Sequence, residues 1–256
     1  YHSRDWLVEN CTFVDNGAGG MSLAWVRDLT LRRCTVARNG NKGVYMTLVQ
    51  NGIVEDVTVT KNNWRGERIG YIDHTTGGID HNTENMLFRR CTATDNFGAG
   101  FRVDHRAANN VYEDCVSSFN RGPKPGKGGG GFFYEICEFG PITLRNCTME
   151  GNNAAGLGML NANNVTVDKC VIANNGEGQV FFYVSPPRKT KLFYLKGVGI
   201  KQVPCTKIRN FNIRDSVVVA RGENGYTITR KYREGNPGDY VPLLKHEYHA
   251  SGNRYW

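Results

Sequence analysis

At 256 residues the chain is long enough for one large core, and a composition of 39% hydrophobic and 22% charged residues excludes a disordered polymer. No run of 18 apolar residues occurs, so no membrane partner is expected. The net charge of +8 favours acidic partners, but the basic residues are scattered and form neither a block nor a nucleic-acid motif, so nucleic acid is not expected as a partner.

The elements repeat from the start. In chain order the sequence reads VENCTFVDNG, LRRCTVARNG, VEDVTVTKNN, FRRCTATDNF, YEDCVSSFNR, LRNCTMEGNN and VDKCVIANNG. One position holds Cys11, Cys34, Val57, Cys91, Cys115, Cys147 and Cys170, and five residues beyond it stand Asn16, Asn39, Asn62, Asn96, Asn120, Asn152 and Asn175. The spacings of 23, 23, 34, 24, 32 and 23 give a basic rung of about 23 residues with two insertions, 64–78 and 121–131. An irregular excursion is expected at 184–206, a weaker rung in KIRNFNIRDSVVVARGENG, and a tail or cap at 226–256. The chain opens on Tyr1 with its first rung signal close behind, so it reads as a piece of a longer protein, any export signal lying upstream.

A repeat this short, with alternating apolar positions and no 3.6-residue period, predicts an all-β fold: one right-handed parallel β-helix over 1–256, a solenoid of about 8–10 rungs. Equivalent positions of adjacent rungs then lie about 4.8 Å apart. Small thiols stack well at such a buried position, and no CxxC spacing suggests metal, so the cysteines are read as reduced core residues. Asparagine suits the turn because it bonds to its copies above and below and tolerates the left-handed conformation.

The strand after the asparagine turn carries the chemistry. Its copies are GMSLAW, GVYMTL, GIDHNT, GFRVDH, GFFYEI and GLGMLN. Alternation points Phe101 and Val103 inward and Arg102 and Asp104 outward, with Tyr45, Asp80, Phe133 and Glu135 also outward. Asp104 and Glu135 each stand four residues after a glycine, and Asp80 lies one rung earlier, so three carboxylates are expected in one column. Like charges so close force one to retain a proton. Two carboxyls about 5–5.5 Å apart also match the nucleophile and acid/base of a retaining glycosidase. Asp80, His81, Arg102 and His105 are candidates for holding hydroxyls or an acidic sugar group, and Tyr45 and Phe133 for stacking on a ring. Trp64, in the first insertion, is expected to wall the pocket. No cofactor is expected, although calcium competes for an acidic column.

The stretch from Asn62 to Pro141 resembles the β-helix β-xylosidases. Their rung G-[LI]-W-L-D is matched by Gly100-Phe101-Arg102-Val103-Asp104, and their F-x-E-[IV]-x-x-G-P by Phe133-Tyr134-Glu135-Ile136-Cys137-Glu138-Phe139-Gly140-Pro141. The resemblance implies that Asp104 is the nucleophile and Glu135 the general acid/base. Arg102 stands where that family has tryptophan, and Lys124 and Lys127 lengthen and charge the loop between the acids. A weaker resemblance links GGIDHNTEN and GFRVDH to mannuronan C5-epimerases and alginate lyases, without their tyrosine or their D-P-H element.

The expectation is a secreted or periplasmic retaining glycoside hydrolase acting on a plant or algal polysaccharide or oligosaccharide. A lyase or C5-epimerase on an acidic polysaccharide is the alternative, and a non-catalytic β-helix surface or adhesin protein the third.

Overall fold

The computed structural model describes residues 3–66, 76–104, 107–122, 129–135, 140–160, 162–176, 178–184, 188–189, 202–203, 210–219, 228–232 and 248–255. Every regular element among them is a strand, and no helix is long and apolar enough to cross a membrane. The strands stack in parallel into three long faces of a right-handed β-helix. The first face runs through Met21–Ala24, the start of Val44–Glu55, the start of Ile79–Arg89, Phe101–Asp104, Phe132–Glu135, Ala155–Leu160, Gly178–Val184 and Ile228–Tyr232. The second begins with Ser3–Glu9 and Val26–Arg32 and takes the far halves of the two long strands, which bend from one face onto the next. The third is a nine-stranded sheet from Thr12–Val14 to Arg254–Tyr255, which agrees with the rung number expected from the repeat.

Two strands of the C-terminal stretch, Tyr248–Ser251 and Arg254–Tyr255, pair in parallel on Phe211–Arg214 and Val217–Val219. Of the excursion expected at 184–206, Arg188–Lys189 and Gln202–Val203 pair antiparallel, and nearly all the rest lies outside the described residues.

The two ladders explain why the rungs stay in register. Asn96 shows the pattern at full strength. Its Nδ2 donates to Asn120 Oδ1 (3.2 Å) and to the Val59 carbonyl (3.0 Å). Its Oδ1 accepts from the backbone N–H and the Nδ2 of Asn62 at 3.0 and 3.1 Å. All four capacities of a buried amide are thereby filled. The chain of amides ends on Gln179, whose Oε1 accepts from Asn175 Nδ2 at 2.8 Å.

The ladder asparagines are not themselves in the left-handed region. That conformation belongs to the residue before each of them, at Asp15, Arg38, Lys61, Asp95 and Phe119 among others, and also to the residue before each ladder cysteine. The asparagine is thus selected for its amide rather than its backbone freedom. Gly40 is required for space: a Cβ there would stand 2.3 Å from the Gly17 carbonyl oxygen of the preceding rung.

The six described cysteines are free, five of them buried. Their thiols donate to backbone carbonyls, as Cys91 does to Val54 at 3.2 Å. Ser216 continues the column, its Oγ accepting from the Cys170 N–H at 3.0 Å. Cys137 and Cys205 lie outside the described residues.

A further ladder escaped the sequence analysis. Down the outer edge of the second face, direct partners alternate in charge: Glu9, Arg32, Glu55, Arg89, Glu113, Arg145, Asp168 and Arg214. Contacts of 2.8 Å (Arg32–Glu9), 2.5 Å (Arg89–Glu55) and 2.6 Å (Arg145–Glu113) follow. Cross-strand opposite charges stabilise and like charges destabilise, so skipping a rung would confront like with like at that step.

Two stability tests follow. Asn96→Ala strands several buried donors and acceptors at about 1–3 kcal/mol each and should cost about 3 kcal/mol or more by chemical denaturation. Asn16→Ala, at the exposed end of the ladder, should cost well under half of that. Arg89→Glu, which faces Glu55 and Glu113 with a third acid, should lower the melting temperature, and added salt should shrink the loss by screening.

Candidate active site

The first face alternates as its sequence requires. In Phe101–Asp104 the apolar Phe101 and Val103 are fully buried while Arg102 and Asp104 reach the outer surface. Beneath them the core holds a tight aromatic group. Phe101 and Phe132 stack at 4.4 Å between centroids, and Tyr112 meets both edge-on.

On the outer surface Asp104 and Glu135 are direct partners on adjacent strands. The Arg102 guanidinium bridges them, its Nη2 lying 3.0 Å from Asp104 Oδ2 and 2.7 Å from Glu135 Oε2. Those two oxygens are therefore no farther apart than the two contacts laid end to end. Elsewhere the described strand partners of an acid are bases or neutral residues, apart from the exposed Asp5 and Asp28, which fall opposite each other between the partners Arg4–Arg27 and Trp6–Leu29.

Asp80 does not join that column. Its partner on the next rung is Arg102, and Asn82 precedes Asp104 instead. The expected stack of three carboxylates is therefore a pair with a third acid one outward position away. Gly78 aligns with Gly100, but Asp80 stands two residues after its glycine and Asp104 four, so the adjacent rung alone did not put Asp80 in the same column. Asp80 is nearly buried and pairs with the Lys42 ammonium, and Arg102 Nη1 lies 3.6 Å from its Oδ2. Lys42 also sits over the Tyr45 ring, 4.0 Å from its centroid. Lys42 was missed by the sequence reading. Its place three residues before Tyr45 on the same turn was the available signal.

The electrostatics differ accordingly. Two cations now stand among three acids, so repulsion alone no longer decides where a proton resides. Burial works against the charge of Arg102, but the carboxylates of Asp104, Asp80 and Glu135 outweigh it and hold the guanidinium protonated beyond its ordinary range.

His81 is corrected outright. It follows the outward Asp80, so it points into the core, where it is fully buried and cannot reach a ligand. Its Nε2 meets Tyr112 Oη at 2.7 Å, its Nδ1 meets Thr83 Oγ1 at 2.9 Å, and its ring stacks on Phe88. His105 lies outside the described residues. Trp64 is exposed on the turn leading onto the first face, its Nε1 donating to the Arg38 carbonyl at 3.2 Å; most of the loop beyond it lies outside the described residues. Tyr45 and Phe133 do share a column, with Asp80 and Arg102 between them. No set of three or more His, Cys, Asp or Glu is arranged for a metal ion among the described residues, and the charges amid the acids are those of Arg102 and Lys42.

Burial lowers the pKa of His81 from 6.5 to about 3. Below 6.5 the unfolded chain takes up a proton that the folded protein refuses, so the histidine's contribution is intact above that pH and is lost as pH falls toward 3. Stability should drop by about 1.4 kcal/mol per pH unit through this window from His81 alone. His81→Gln, measured by denaturation at several pH values, should remove that slope.

Comparison with curated proteins finds no match. Among solved structures the fold is similar to the A-module of the mannuronan C-5 epimerase AlgE4 from Azotobacter vinelandii, with a TM-score of 0.66 and 16% identity over 98% of this chain and 62% of that one. It is also similar to the periplasmic alginate epimerase AlgG, with a TM-score of 0.66 and 13% identity over 96% of this chain and 50% of that one. The chain thus spans between half and two thirds of the length of these structures, and at such identities the likeness is one of fold. The family model described as a right handed beta helix region matches residues 1–159, more than half of the sequence, and the chain belongs to that β-helix family.

Proposed function

We propose that this β-helix is a carbohydrate-active enzyme, a retaining glycoside hydrolase whose reacting groups are Asp104 and Glu135. One observation carries the reading: these two acids are direct cross-strand partners on the outer surface of the first face, bridged by one guanidinium. Strands about 4.8 Å apart suit the separation of about 5–5.5 Å that double displacement needs. Asp104, with 21% of its side chain exposed, is the accessible nucleophile, and Glu135, with 4%, is the secluded acid. In the first step an Asp104 oxygen bonds to the anomeric carbon while the glycosidic bond breaks and Glu135 protonates the departing oxygen. In the second, Glu135 takes a proton from water, the water oxygen bonds to the anomeric carbon, and Asp104 leaves. Arg102 compensates the paired charges and yields its place between them to the sugar. A glycan substrate puts the protein in the periplasm or outside the cell.

A second reading has its own support. Lys42 and Arg102 supply the cations that neutralise a uronate carboxylate, and Tyr45 stands in the same column. That combination suits a lyase or C5-epimerase on an acidic polysaccharide, and both similar structures are described as epimerases.

The test is a panel of aryl glycosides and uronate polymers. Hydrolysis of one glycoside with retained configuration is expected, and Asp104→Asn should reduce it by about 1,000-fold or more without lowering the melting temperature. Glu135→Gln should lose hydrolysis of poor leaving groups, with activity restored by azide as a glycosyl azide. Chelation should leave the rate unchanged. Unsaturated, ultraviolet-absorbing products from uronate polymers, with no hydrolysis, would decide for the second reading.

A further inference from the structure

Exposure along the column that holds the acid pair follows a one-way gradient. Ala24 is exposed, Thr47 and Asn82 are half-buried, Asp104 is 21% exposed, Glu135 is 4% exposed and Leu160 is completely buried. These residues are successive direct partners on neighbouring strands, all on the outer surface of the first face. In the adjacent outward column Ser22 is exposed and Tyr45 half-buried, Asp80 is buried beside Lys42, Arg102 and Phe133 are half-buried, and Gly158 and Phe181 are buried. Ala155–Leu160 is buried at every position, on both surfaces, whereas Met21–Ala24 and Phe101–Asp104 alternate.

A face that is open over its early rungs and covered from Leu160 onward is a slot, and the acids stand at its closed end. Rungs lie about 4.8 Å apart, so a saccharide lying along the helix axis passes over successive rungs. It can do so in one direction only. Beyond Glu135 the outward positions are an apolar Leu160 and a glycine, both without solvent access. Toward the N-terminal rungs lie an amide, a hydroxyl and the Tyr45 ring, groups that hydrogen-bond to sugars or stack on them.

We infer that the slot is blind at Leu160, so that the site engages the end of a glycan chain, with the remaining units over Asn82, Thr47 and Tyr45 and the mouth at Ser22 and Ala24. This rests on the hydrolase reading of Asp104 and Glu135. The substrate class is a chain terminus rather than an internal stretch, and the direction of threading follows from the order of rungs.

The experiment uses the sugar of whichever aryl glycoside is cleaved. A linear hexasaccharide of that sugar, fluorescently labelled at its reducing end, is followed below 10% conversion. Release of single units from one end is expected. Early products of two to four units would overturn the blind slot. Ala24→Trp, at the mouth, should lower the ratio of hexasaccharide to aryl glycoside turnover at least tenfold, and an unchanged ratio would overturn the threading direction. The two readings fail separately. Internal products from a protein that Asp104→Asn inactivates refute the slot alone, whereas cleavage that survives Asp104→Asn, or no cleavage of any glycan, refutes the hydrolase and the slot with it.

Discussion

Every side chain of this solenoid has a copy of its own position about one strand spacing above and below. That constraint governs each residue choice described here. A position tolerates only groups that can live beside themselves, or beside a complement. Thiols and small apolar groups do so by packing, as at Cys91, Cys115 and Cys147. Amides do so by matching donor to acceptor, as from Asn16 to Gln179. Along one edge charges do so by alternating, as from Glu9 to Arg214.

Against that background Asp104 beside Glu135 is a departure. Two carboxylates in register raise the energy of the fold, and a guanidinium from the neighbouring column is placed to offset it. Residues retained in spite of such a cost are where function is to be sought. The same arrangement links the site to the core: Arg102 alternates with Phe101 and Val103, whose packing with Phe132 and Tyr112 fixes the strand that presents it. His81, neutral and held by Tyr112 and Thr83, belongs to that support rather than to the site.

Much of this was legible in the amino-acid order. A rung of about 23 residues, the cysteine and asparagine positions and the outward pairing of Asp104 with Glu135 could all be counted, because periodicity in a stacked fold is spatial adjacency. The count failed at Asp80, which was assigned to the column of Asp104 although it stands two residues after its glycine and Asp104 stands four. The alternating charges lay in plain view as Glu9, Arg32 and Glu55, but the repeat was read for sameness, and complementarity between neighbours is invisible to that search.

The sequence by itself therefore determined the solenoid, its register and the pair of acids, since each depends only on spacing along the chain. Tertiary structure alone decided the placement of Arg102 and Lys42 among the acids, the burial of His81 and the closing of the face at Leu160. Those depend on which side chains lean across columns and on what covers a surface, and no repeat length encodes either.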